Sequence, residues 1–251
     1  MPRQGGSIRL FRAAGIEVFL HWSWFLVAIY EVEMWRSVFS SPYWAAALYL
    51  GLFVLVTMHE FGHALACRQV GGVADRIVLW PLGGIAFVRP PPRAGAMLWS
   101  IAAGPLVNVA LLPVLTFLEY AAVRAGWRAT NINAYLLILW LWRINFGLLL
   151  FNLLPIYPLD GGQILRALLW FPLGQIRSLF IAAGVGFVGG GALLLWALVE
   201  RSLWIGIMAF FLLSQAGFGW KQARYLAAEA EAEVQVVPAD DVKLPEKDPV
   251  L

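Results

Sequence analysis

The stretch WAAALYLGLFVLVTMHEFGHALACRQ, Trp44 to Gln69, decides how the rest of the chain is read. As a helix it would be about 39 Å long, enough to cross a hydrocarbon layer roughly 30 Å thick. Within this apolar run stand His59, Glu60 and His63. A charged side chain in the middle of a membrane segment costs about 2.5 kcal/mol or more, so polar residues kept there need partners and mark a working site.

The composition around this stretch agrees. Hydrophobic residues make up 61% of the 251 and charged residues 13%, and the mean hydropathy is +0.74. A soluble domain of this size could not bury so much apolar surface. Six spans are expected, at Val18 to Tyr30, Trp44 to Gln69, Met97 to Leu118, Ala134 to Leu154, Ile176 to Val199 and Leu203 to Trp220. Their length favours helices over a barrel. Arg3, Arg9 and Arg12 precede the first, but no small-residue cleavage site follows, so it reads as a retained helix.

An even number of crossings puts both termini on one side, and basic residues indicate which. Arg3, Arg9, Arg12, Arg68, Arg76, Arg89, Arg93, Arg166, Arg177, Lys221 and Arg224 fall on the terminal side, against Arg36, Arg124, Arg128 and Arg201 opposite. By the positive-inside rule the termini are expected in the cytoplasm, here of a bacterial or archaeal cell. The net charge of +3 is spread as this orientation signal. No basic stripe suited to nucleic acid is present. The single cysteine, Cys67, excludes an intrachain disulfide.

Between the second and third spans, Arg76 to Trp80 and Ile85 to Val88 read as two strands turned by Pro81 to Gly84. Such a hairpin would leave an open edge unless another strand paired with it. After Trp220 the composition becomes Ala- and Glu-rich, then charged with Pro238, Pro245 and Pro249. Residues 1–220 are therefore expected as one membrane core, and 221–251 as a cytoplasmic tail with a short helix and then loose chain.

In His59-Glu60-Phe61-Gly62-His63 the histidines are four residues apart, on one helix face, where a single zinc can bridge them. Glu60 is offset around the helix, close enough to act as general base without being a ligand. A catalytic zinc commonly takes a third protein ligand. Cys67 lies about 12 Å further along the helix, beyond reach, and reads as packing. Glu31, Glu33, Glu119 and Glu200 belong to the opposite side, and Glu17 and Asp75 to surface stretches. Asp160 remains, in Asn152-Leu153-Leu154-Pro155-Ile156-Tyr157-Pro158-Leu159-Asp160-Gly161-Gly162, where two prolines break the fourth span near the depth of the histidines. The plain alternative is a helix-ending turn with Asp160 as its cap.

These motifs resemble the site-2 proteases, intramembrane zinc metalloproteases. His59 to His63 match the family's H-E-x-x-H, Asn152 to Gly162 its N-x-x-P-x-x-P-L-D-G, and Gly83-Gly84 and Ala103-Gly104-Pro105-Leu106-Val107-Asn108 two lesser signatures, over about Gly15 to Trp220. The resemblance implies one zinc per chain on His59, His63 and Asp160, and Glu60 as base. It also implies a role for Asn152 towards substrate or oxyanion, and a hairpin with Gly83 and Gly84 that holds an unwound transmembrane substrate. Without the resemblance, Asn152 could equally make a helix-to-helix hydrogen bond. Asn108 is read as structural and His21 as packing or gating. Arg143 either pairs with a neighbour such as Asn145 or reaches outward. Gln163 stands where relatives often carry Arg. Neither a PDZ pattern nor paired CBS patterns are present, so substrate selection or regulation through such modules is not expected unless a separate regulatory or adaptor protein supplies them.

Overall fold

The computed structural model describes residues 6–80 and 83–236. In chain order these form β1 (Ser7–Ala13), β2 (Ile16–His21), α1 (Ser23–Trp35), α2 (Pro42–Gln69), β3 (Val73–Trp80), β4 (Gly83–Arg89), α3 (Ala94–Arg124), α4 (Trp127–Thr130), α5 (Ile132–Asn152), α6 (Asp160–Val199) and α7 (Leu203–Val236). Five helices, α2, α3, α5, α6 and α7, are long and apolar enough to cross a membrane. The expected turn at Pro81 to Gly84 falls partly outside the described residues, as does the chain after Val236.

The first expected span is corrected. Val18 to His21 is strand, and the helix that follows has 13 residues, about 20 Å and too short to cross alone. The cause lies in the alternation of Ile16, Val18 and Leu20, all buried, with Glu17, Phe19 and His21 between them. A period of two makes a strand with one covered face. Ile16, Val18 and Leu20 pack with Ala64 and Cys67 of α2 and with Ile77 and Leu79 of β3.

The sheet runs β1-β2-β3-β4. β2 pairs parallel with β3, Val18 opposite Ile77 and Leu20 opposite Leu79, while β3 and β4 form the expected hairpin. The β3 edge of that hairpin is thus covered by β2, and β1 pairs antiparallel with β2 on its outer side. Arg68, at the end of α2, fastens the arrangement: its guanidinium donates to the carbonyls of Ala14, Gly15 and Ala74, the last at 2.7 Å.

The helices owe their ends to ordinary local chemistry. Ser41 accepts from the Tyr43 N–H with Pro42 at the first position of α2, and Asn131 caps α5. α6 breaks at Gly174, whose φ of 78° and ψ of 170° are outside the helical region. A Cβ on Gly186 would meet the Tyr157 carbonyl and one on Gly189 the Ile156 side chain, so residues 175–199 fold back past the Pro155 to Pro158 loop. The fifth expected span corresponds to this returning half. α7 continues without interruption to Val236, so the boundary expected at residue 220 is not a break in the helix.

Candidate metal centre

α2 and α3 approach closely because both carry glycine where they meet. A Cβ on Gly62 would lie 2.6 Å from the Ala103 carbonyl oxygen, and one on Gly104 would overlap the His63 ring. Small residues at a membrane helix contact permit this approach. It brings α3 groups within reach of both histidines. The His59 Nδ1 is 2.6 Å from the Asn108 Oδ1, and the His63 Nδ1 donates to the Ser100 carbonyl at 3.0 Å. Asn108 in turn donates through Nδ2 to the Asn145 Oδ1 at 2.8 Å, and the Asn145 Nδ2 donates to the Asn108 carbonyl at 3.0 Å. Ser100, Asn108 and Asn145 are wholly buried.

With both Nδ1 atoms engaged as donors, both Nε2 atoms present lone pairs. They stand 3.1 Å apart. The Asp160 Oδ2 lies 3.0 Å from the His59 Nε2 and 3.4 Å from the His63 Nε2, and this buried oxygen has no hydrogen-bond partner. Three electron-rich atoms thus converge without a proton between them, an arrangement that a cation makes stable. Zinc with ligands at about 2.0–2.1 Å in tetrahedral directions sets its donors about 3.3 Å apart, which the observed spacings bracket. His59, His63 and Asp160 are a fitting set for the metal. Asp160 arrives from the first turn of α6, and the Gln163 amide closes the preceding loop by donating to the Pro158 carbonyl at 2.9 Å.

Glu60 is buried beside this triangle but outside it. Its Oε2 accepts from the Ala86 N–H of β4 at 2.9 Å. Gly84 is packed so tightly against the Glu60 side chain that a Cβ there would overlap it. Asn152 is the last residue of α5, half-buried, and makes no side-chain hydrogen bond among the described residues. Gly83 pairs with Trp80 at the end of the hairpin. His21 stacks on Trp80 with ring centroids 4.2 Å apart and bonds Ser23. Cys67 is buried, its Sγ 3.6 Å from the Val73 carbonyl. The Arg143 guanidinium lies over Trp140, 4.8 Å from the ring centre, and Asn145 serves Asn108 instead. The sequence carries no sign of Ser100, because a backbone carbonyl has no signature, and Asn108 reads from it only as structural.

The model of peptidase family M50 matches residues 121–196. A zinc metalloprotease of Methanocaldococcus jannaschii is 32% identical over 95% of this chain and 66% of its own length. Rip3 of Mycobacterium tuberculosis is 29% identical over 84% of this chain and 58% of its own. The chain therefore spans somewhat less than two thirds of these curated relatives. A solved site-2 protease from Methanocaldococcus jannaschii superposes with a TM-score of 0.60 at 31% identity, covering 85% of this chain and 95% of that one. With a shared fold along nearly all of that structure, comparable identity in sequence, and three donors spaced for zinc, the chain belongs to the site-2 protease family of zinc metalloproteases.

Proposed function

We propose that the protein hydrolyses peptide bonds within or near the transmembrane segments of other membrane proteins. The position of Glu60 carries this reading: a carboxylate next to three metal donors, yet held off them by the Ala86 N–H, suits a base and not a ligand. Zinc held by His59, His63 and Asp160 would supply Lewis acidity, acidifying a water and polarising the scissile carbonyl. Glu60 accepts the proton of the attacking water and returns it to the leaving amine. Asn152, with its amide uncommitted, is assigned to the substrate or the developing oxyanion.

A transmembrane substrate hides its carbonyls in helical hydrogen bonds and must unwind locally before attack. Pairing with backbone near Gly83 and Gly84 replaces those bonds, so helix-weakening residues in the substrate favour cleavage. In this reading β2 and α1 together make a sixth crossing, strand followed by short helix. Both termini then lie in the cytoplasm, as the arginine distribution indicates.

The test is cleavage of tagged single-span substrates by purified protein in detergent with zinc, comparing wild type with Glu60→Gln. Cutting within the span by the wild type, with zinc retained and cutting lost in the variant, is the expected result. Zinc binding by both and cleavage by neither would overturn the proposal in favour of a metal transporter or a non-proteolytic scaffold.

A further inference from the structure

The two histidines are oriented by acceptors of different kinds. His63 faces the Ser100 backbone carbonyl, which can only accept, so its Nδ1 must carry the proton. His59 faces a side-chain amide, and an amide turned by 180° would present N–H₂ in place of oxygen. In that orientation the His59 proton would move to Nε2, the atom that faces Asp160, and the lone pair would be lost to the metal site. Something must fix the Asn108 amide.

We propose that Asn145 is a positioning residue for the metal centre, acting through Asn108 to hold His59 in its metal-binding tautomer. The Asn108 backbone carbonyl is again an acceptor only. The Asn145 Nδ2 must point to it, at 3.0 Å, because the alternative sets two oxygens against each other. Asn145 Oδ1 then faces Asn108 Nδ2, at 2.8 Å, which leaves Asn108 Oδ1 for His59. Both asparagines are fully buried, so water does not compete for these bonds. The information passes from α5 through α3 to α2, and Asn145 touches none of the metal donors among its hydrogen bonds. Orienting partners behind a ligating histidine commonly change metal affinity by about 10–100-fold.

This rests on His59 being a zinc ligand, and not on proteolysis. The experiment measures zinc affinity by chelator competition, and the absorption spectrum of the cobalt-substituted protein, for wild type, Asn145→Leu and Asn108→Leu. Asn108→Leu removes the acceptor and should weaken zinc binding by about 10–100-fold. Asn145→Leu should weaken it in the same direction but less, and broaden the cobalt bands as the Asn108 amide populates both orientations. Should Asn108→Leu fail to fold, Asn145→Leu alone decides the matter. Zinc affinity and cobalt spectra unchanged in Asn145→Leu would overturn the proposal. A wild type that binds zinc and cuts nothing refutes the protease reading and leaves these affinity differences as expected.

Discussion

Gly84 shows how tightly single positions are specified around Glu60. Its missing side chain is the space occupied by Glu60, so Gly84→Ala must displace either the carboxylate or β4. A displacement of about 1 Å in a catalytic group can lower a rate about 10²-fold. The expected outcome is a loss of that order in kcat with zinc affinity unchanged, since the three atoms nearest to an added Cβ all belong to Glu60 and to none of the three donors; a peptide-cleavage assay beside a zinc titration checks it. An equal loss of zinc would place the damage in α2 instead. Asp160→Asn should behave in the opposite way, losing zinc first, because a neutral amide replaces the one anionic donor of the set. The His59 to His63 pair and Asp160 were legible in the sequence because four-residue spacing fixes a helix face, and because charges in apolar segments demand a reason. Asn108 and Asn145 were not, because only the contact between α3 and α5 reveals that their amides meet, 37 positions apart.

The elements repeat this division. α2, α3 and α5 follow from runs of apolar residues long enough to cross, and the strand pair β3–β4 from short apolar runs beside Pro and Gly. β2 was read as the start of a helix because Val18, Phe19 and Leu20 continue smoothly into the apolar residues of α1. The parallel partner that makes it a strand, β3, lies more than fifty residues away. Two elements therefore depend on a fastening that sequence periodicity does not display. Arg68 supplies it, reaching the β1–β2 turn and β3 at once. Arg68→Ala leaves three carbonyls without this donor and should lower stability by about 2 kcal/mol, as for hydrogen bonds from a charged group. Faster proteolysis near residues 12–17 with undiminished zinc binding would confirm the fastening; unchanged proteolysis and thermal midpoint would count against it. The α2–α3 contact is less forgiving. Gly62→Leu would drive a side chain into the Ala103 backbone, separating Ser100 and Asn108 from the histidines, and both stability and zinc affinity should fall.

For the molecule as a whole, the direction of β2 has a consequence for topology. β3 begins just after α2 ends, and β2 runs parallel to it, so the β1–β2 turn lies at the end of the sheet where α2 finishes, where Arg68 reaches it. If α3, α5, the returning half of α6 and α7 cross in turn, as proposed above, the end of α7 comes back to the side of the β1–β2 turn. A strand of six residues spans about 20 Å and the 13-residue α1 about 20 Å more, enough together to reach the start of α2. Five long helices are thus compatible with the β1–β2 turn and the end of α7 on one side. The arrangement can be read with single cysteines in a Cys67→Ser background, placed at the exposed positions Arg12, Ala125, Glu200 and Arg224. A membrane-impermeant thiol reagent added to intact cells should modify Ala125→Cys and Glu200→Cys. Arg12→Cys and Arg224→Cys should react only after permeabilisation, matching the excess of arginine on their side. Labelling of Arg12→Cys together with Ala125→Cys from outside would put the end of α2, to which Arg68 ties the β1–β2 turn, on the same side as the end of α3, and would overturn the arrangement.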